Sequence, residues 1–285
     1  MIRRAKDGLP ARVGGPWTQE KLTYVQKYAS AFMVAMAPKR KQGKWDSLVY
    51  LDLLAGPGRG IDVKSGAEFD GSPLRALKIQ PRFDRLFFAD LKLKNIEALR
   101  QRIPEQDSSR VSIQCGNCNE LAKEIVRQHS TRTLGLAFVD PEGFEAKFEM
   151  FQALATRRID ALLLFPTGGI ARNLHLFAKM SNSPLDEFLG GREWRDLPEM
   201  KAAAGKKLRQ EEIQSLKVPL VGRFRARMAD IGFRHQDEHD PRLRNKKNVP
   251  MYHLLYFSKD SAGLKIWQGI KKIEPSGQRT LSFPS

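Results

Sequence analysis

A chain of 285 residues, 41% of them hydrophobic, can bury a substantial core, which excludes a largely disordered polypeptide. Its formal net charge of +17 points to a polyanionic partner, nucleic acid being the commonest, and its two cysteines exclude a disulfide-built secreted scaffold. No apolar run approaches the roughly 20 residues of a membrane span, and the basic start lacks the apolar stretch of a secretory signal, so the expectation is a cytoplasmic protein with no membrane association.

Residues 1–16 carry Arg3, Arg4, Lys6 and Arg12 ahead of Gly14-Gly15-Pro16 and are expected to be a basic flexible arm. A helical lead-in over 17–46 follows, with Thr18 as its N-cap, Leu22, Val25, Tyr28, Ala29 and Phe32 at helical spacing, and Pro38 as its stop. Residues 47–166 then alternate nearly continuous apolar strands, beginning with "SLVYLDLL" and "DRLFFAD", with amphipathic helices such as "KNIEALRQRI" and "NELAKEIVRQH". Strands without polar alternation, each followed by a helix, predict a parallel sheet covered on both faces. Ser72 is read as the cap of the first of these helices. A polar helical insertion over 167–214 is expected to meet a substrate or partner. Residues 215–275 return to the core with a helix, a terminal hairpin of "GFRHQDEH" and "MYHLLYFS" joined by the basic loop "DPRLRNKKNVP", and a last helix; 276–285 form a tail. The fold class is therefore α/β: a doubly wound, mostly parallel seven-stranded sheet with an antiparallel last strand, in the element order of class I methyltransferase-like folds.

The stretch "LDLLAGPGRG", Leu51 to Gly60, places glycines directly after a buried strand. In an open parallel sheet, ligands bind at the carboxyl ends of the strands, and glycine lets backbone approach them closely. Asp52 is placed to bind a cationic amino group through the turn of Ala55, Gly56 and Gly58. Asp90, ending the second strand, is placed to accept from both hydroxyls of a ribose, and Asn117 to read an adenine edge with its amide. Together these residues describe an S-adenosylmethionine pocket. A dinucleotide pocket fits less well, because no helix opens directly after the glycines to hold a pyrophosphate.

Over 17–281 the chain resembles the three-Cys-motif partner protein family of bacteria and their mobile elements. The pieces that carry the resemblance include "KLTYVQKYASAF", "YLDLLAGPGRG", "GSPLRAL", "LAFVDPEGF", "LLLFPTGGIARN", "LDEFLGGREW" and "YHLLYFSKDSAGLKIWQGI", in that order. The resemblance implies a Rossmann-like methyltransferase fold and a radical-SAM-like three-Cys-motif protein as partner; it does not settle an activity.

"DPEGF", Asp140 to Phe144, closes the fourth strand and is similar to the D-P-P-[YF] signature of amino-methyltransferases. That likeness implies Asp140 and Pro141 accepting from an exocyclic amine and Phe144 stacking on a flipped base. Glu142 and Gly143 depart from it, replacing the second proline and shifting the aromatic by one. Cys115 and Cys118, in "CGNC", form one pair without a second and are read as structural; no metal site is expected, His235 and His239 lacking helical ligand geometry. Two basic groups are candidates for phosphate contact: Lys206, Lys207, Arg209, Arg223, Arg225 and Arg227, and Arg242, Arg244, Lys246 and Lys247. Arg172 faces the expected acceptor site. Two readings stay open: a methyltransferase acting on nucleic acid, and a non-catalytic methyltransferase-like module that binds nucleic acid or regulates its partner.

Overall fold

The computed structural model describes residues 1–202, 210–244 and 250–272. Residues 1–14, expected as a flexible arm, are folded: β1 (Ile2–Arg4) and β2 (Pro10–Gly14) pair antiparallel. β2 runs straight into α1 (Pro16–Lys41), which is followed by β3 (Ser47–Asp52). The segment after Gly60 then supplies the partner that orders the start of the chain. It forms β4 (Arg59–Asp62) and β5 (Glu68–Asp70), and β2 pairs parallel with β4 to close a four-stranded sheet around Ala5, Ala11 and Ile61.

Two expectations about α1 are corrected. Its N-cap is Gly15, and Thr18 lies in the first turn, because Pro16 occupies the first helical position with its φ already set. Pro38 does not stop the helix; it frees only the carbonyl of Val34, a residue 61% exposed, where water can serve it. The stripe itself is as expected, with Leu22, Val25, Tyr28, Ala29 and Phe32 all buried.

The core continues as α2 (Ser72–Leu77), β6 (Arg85–Asp90), α3 (Leu93–Arg102), β7 (Val111–Cys115), α4 (Cys118–Arg127), β8 (Thr133–Val139), α5 (Phe148–Ala155) and β9 (Arg158–Phe165). The insertion holds α6 (Thr167–Phe177), α7 (Pro184–Leu189) and α8 (Pro198–Ala202), and α9 (Gln210–Asp230) leads back to the sheet. The chain then runs through β10 (His235–Gln236), β11 (Arg242–Arg244), β12 (Pro250–Ser258) and α10 (Ser261–Lys271).

The main sheet has the order β10-β12-β9-β8-β3-β6-β7, with β12 antiparallel to β9 and the strands from β9 to β7 parallel. This is the mostly parallel, doubly wound arrangement with an inserted antiparallel strand that the sequence predicts. Among the described residues it has eight strands, not seven. Residues 242–244, expected in a loop, form β11 beside β12. β10 covers only the Phe257–Ser258 end of the nine-residue β12, and β11 pairs with the edge left open. Aromatic packing among Phe148, Phe165, Phe188, Phe224 and Phe257 fixes the insertion and α9 to one face. Among the described residues no helix is long and apolar enough to cross a membrane.

Candidate functional site

β3 lies between β8 and β6, so the chain leaves it on one side and returns on the other, and a crevice forms where it ends. There Gly56 and Gly58 take φ of 64° and 79°, the left-handed region that side chains resist. The turn is tied down from three directions: Ala55 N donates to Ala89 O (2.8 Å), Gly56 N to Asp90 Oδ2 (3.0 Å) and Gly71 N to Gly58 O (2.8 Å). Arg102 adds a clamp from α3, donating to Pro57 O (2.6 Å), to Pro10 O (2.7 Å) and to Asp7. The β1–β2 hairpin is thus fastened to the glycine turn. The space beside each glycine is occupied: a Cβ at Gly58 would lie 2.7 Å from Leu99, and one at Gly56 2.9 Å from the Arg12 Nε. Gly56→Ala is expected to lose about 1–2 kcal/mol through backbone strain and displacement of Arg12, read as a lower midpoint in urea.

Asp52 is fully buried at the end of β3, and neither of its carboxylate oxygens has a hydrogen-bond partner. Burial pushes its carboxyl up to about 7. The Ser72 hydroxyl opposes that rise, Asp140 adds to it, and the Leu54 amide and Arg12 oppose it. Ser72 and Leu54 stand close enough to act on the charge without completing a hydrogen bond. The expected capping role of Ser72 is corrected accordingly: Gly71 is the N-cap of α2, and the Ser72 hydroxyl serves Asp52.

Asp90 ends β6 as expected, but its carboxylate is already engaged. Oδ1 accepts from Lys92 N (2.8 Å) and Asn95 Nδ2 (3.0 Å), Oδ2 accepts from Gly56 N, and the Arg12 guanidinium sits 3.7 Å away. Arg12 also reaches Glu142 at 3.3 Å, bridging the glycine turn to the loop after β8. Asn117 is the N-cap of α4, its Oδ1 accepting from Asn119 N and Asn119 Nδ2, both at 2.9 Å. Its carbonyl is therefore spent on the helix, which leaves only the Nδ2 end for a ligand. Burial pushes the Cys118 thiol up to about 11, an inert state for a cysteine, and both cysteines are free. Among the described residues no three His, Cys, Asp or Glu converge.

A cleft opens between the glycine turn and the end of β8, walled by Ala55, Gly58, Ser72, Asp140 and Pro141. Asp52, Gly56 and Asp90 are buried and, like the exposed Asn117, do not line this cleft. Asp140 makes an ion pair with Lys21 of α1, both side chains nearly enclosed at 14% and 12% exposure. The flat surfaces of the cleft are Trp17, Phe69 and Tyr252. Phe144, expected to stack on an acceptor, is corrected: its ring packs edge-on against Phe177 (5.1 Å) and Phe188 (5.6 Å). The one-residue shift in "DPEGF" turns it toward α6 and α7, away from the cleft.

The basic candidates are scattered. Arg172 is exposed on α6, near Tyr252, whose hydroxyl is pushed up by burial and by Asp140 and held back by Arg172. Arg227 is corrected as a free phosphate contact, since it pairs with Glu193 at 2.6 Å; Arg225 pairs with Asp240 at 2.6 Å, leaving Arg223 exposed on that helix. Arg242 is exposed on β11. Arg244 belongs to the same strand, but its side chain lies outside the described residues, as do Lys206, Lys207, Arg209, Lys246 and Lys247. The sequence reading missed Arg12, Trp17, Lys21 and Tyr252. Each reaches the cleft from an element remote in the chain, and no local pattern marks it.

No family model matches the chain, and comparison with curated proteins found no match. Solved structures do match. Protein LPL1258 of Legionella pneumophila, of the family DUF519, aligns with a TM-score of 0.52 at 10% identity, covering 92% of this chain and 94% of that one. A candidate O-methyltransferase from Klebsiella pneumoniae aligns with a TM-score of 0.41 at 10% identity, over 87% of this chain and 91% of that one. A candidate S-adenosylmethionine-dependent methyltransferase from Listeria monocytogenes gives 0.40 at 10% identity, over 76% and 91%. At such identity the Legionella structure speaks for the fold alone, and the two looser likenesses add nothing to it. By its own strand order, the chain has a methyltransferase-like Rossmann fold.

Proposed function

We propose that the chain is a class I S-adenosylmethionine-dependent methyltransferase of the three-Cys-motif partner type, acting on nucleic acid. The observation that carries the reading is Asp52, a fully buried carboxylate without a hydrogen-bond partner beside a left-handed glycine turn at the switch point of the sheet. A buried, unpaired anion is costly until a cation arrives, and the ammonium of an amino-acid-bearing cofactor is such a cation. Asp52 with the Ala55–Gly58 turn would hold the amino-acid end, Asp90 the ribose, and the Nδ2 of Asn117 the adenine. S-adenosylmethionine bound there supplies an electrophilic methyl group.

The acceptor chemistry rests on the far wall. Asp140 accepts a hydrogen bond from the amino group to be methylated, and its ion pair with Lys21 keeps that carboxylate aimed. The Pro141 carbonyl would be the second acceptor, Pro141 lining the cleft next to Asp140. Trp17 and Tyr252 offer the flat faces on which an unstacked base can lie, the role Phe144 does not fill. The net charge of +17 supplies attraction to a phosphate backbone.

One observation favours the second reading, a non-catalytic module. Asp90 already accepts three hydrogen bonds from the chain's own groups, with Arg12 3.7 Å from Oδ2, which leaves little room for both hydroxyls of a ribose. Calorimetric titration of the full chain with S-adenosylmethionine separates the two. The expected result is micromolar binding, with methyl transfer to a DNA or RNA panel falling about 10²–10⁴-fold in Asp140→Asn while the cofactor still binds. A folded chain that binds no cofactor ends the enzyme reading. The partner is tested separately, by co-elution with a purified three-Cys-motif protein.

A further inference from the structure

We infer a second binding site, at the opposite end of the sheet's parallel strands from the glycine turn, for a phosphate carried on one flat ring: a pyrimidine nucleotide, free or at the end of a nucleic-acid strand. A cavity of ≈ 130 Å³ opens there, walled by the start of β8, the start of β9, the end of β12 and the first turn of α10. Its floor is apolar, made by Phe32, Met36 and Leu134, with Trp45 at the side. An apolar cavity of about 150 Å³ accepts one benzene ring, so this space is the size of a single ring and too small for two.

Four cations stand around it: Lys39 and Lys44 from the end of α1 and its following turn, Arg158 from β9 and Lys259 from the loop after β12. The Lys44 Nζ and the Arg158 guanidinium lie 5.7 Å and 5.8 Å from the centroid of the Trp45 ring. Among the described residues neither Lys39 nor Lys44 makes an ion pair, and Arg158 reaches only Asp260, at 4.0 Å. Lys259 donates to the Ala155 carbonyl. Two carboxylates share the cavity, Asp160 held by tyrosine hydroxyls and Asp260 at the head of α10 beside Arg158. Asp160 accepts from the Tyr28 and Tyr256 hydroxyls at 2.6 Å and 2.8 Å; Asp260 accepts from Ala262 N at 2.9 Å as the N-cap of α10. The positive end of α10 points at the same space. Four cations against two carboxylates, over a ring-sized apolar floor, leave the excess of positive charge that complements a ring bearing an anion.

The test is calorimetric titration of the full chain with uridine 5′-monophosphate, uridine, inorganic phosphate and a short oligouridylate, without S-adenosylmethionine. The nucleotide is expected to bind at least tenfold more tightly than uridine or phosphate alone, and Arg158→Ala or Lys44→Ala to weaken it about tenfold. Leu134→Phe, which fills the floor, is expected to abolish it, with circular dichroism confirming the fold. Preference for the mononucleotide assigns the site to a free ligand, and preference for the oligomer, still sensitive to Arg158→Ala, assigns it to a strand; either supports the site. Binding that ignores Arg158→Ala and Leu134→Phe, or no binding of nucleotide or oligomer, overturns it. Neither result bears on cofactor binding in the cleft.

Discussion

Asp52→Asn is expected to stabilise the unliganded protein at pH 8 and to abolish its binding of S-adenosylmethionine. An ordinary aspartate carboxyl titrates near 3.8, and burial pushes Asp52 up to about 7. The folded chain therefore keeps a proton that the unfolded chain releases. The stability this contributes is full below about pH 4 and is lost as the pH rises through 7. A carboxyl moved from 3.8 to about 7 carries on the order of 4 kcal/mol over that window. Above it the protein holds an ionised, unpartnered carboxylate in its interior. An amide has the same shape and no charge, so thermal unfolding at pH 8 should shift up by about 5 °C, with no gain at pH 4, where both side chains are neutral. Binding moves the other way, because a cationic ammonium is drawn to the carboxylate and not to the amide. For the same reason the wild-type affinity should rise from pH 5 to pH 7 and then level. An unchanged melting temperature at pH 8 shows the carboxylate to be paired or solvated, and retained binding removes Asp52 from the cofactor site.

Trp267→Ala is expected to cost about 3–5 kcal/mol, the range for truncating a fully buried aromatic. Trp267 has no exposed surface; it stacks on Tyr256 (5.5 Å, 15°) and meets Tyr28 edge-on (6.0 Å, 74°), joining α10 to α1 on one face of the sheet. Beneath it the Tyr28 and Tyr256 hydroxyls lie 2.7 Å apart and both bond Asp160 Oδ2. Burial pushes the Asp160 carboxyl up, and it pushes both tyrosines well above their ordinary range. Gly263 is what lets α10 approach this group. A Cβ there would stand 2.3 Å from the Tyr256 hydroxyl and 2.7 Å from Asp160 Oδ2, so Gly263→Ala is expected to cost about 2–3 kcal/mol through displaced hydrogen bonds. Urea unfolding measures both. A loss below about 1 kcal/mol for Trp267→Ala would mean that α10 contributes little to holding α1 in place.

The element order was legible in the sequence for a physical reason. Strands buried on both faces must be apolar at successive positions, as in "SLVYLD", and the helices that cover them carry their apolar residues three and four apart. The glycine turn was legible too, since only glycine takes φ of 64° and 79° without strain. Local patterns of this kind record which face is buried, not what meets it. β1 and β2 looked like a flexible arm because short polar strands carry no periodic signal; they are ordered by β4, which lies beyond α1 and β3. Phe144 looked like an acceptor platform until Phe177 and Phe188 closed around it. The pairing of Lys21 with Asp140 spans 119 positions, and nothing in either neighbourhood announces it. By itself the sequence determined the sheet, its helical layers and the place of the glycine turn, because burial and backbone angle act residue by residue. Only the tertiary structure decided which charges meet at that turn, because ion pairs and hydrogen bonds depend on distances that no spacing along the chain encodes.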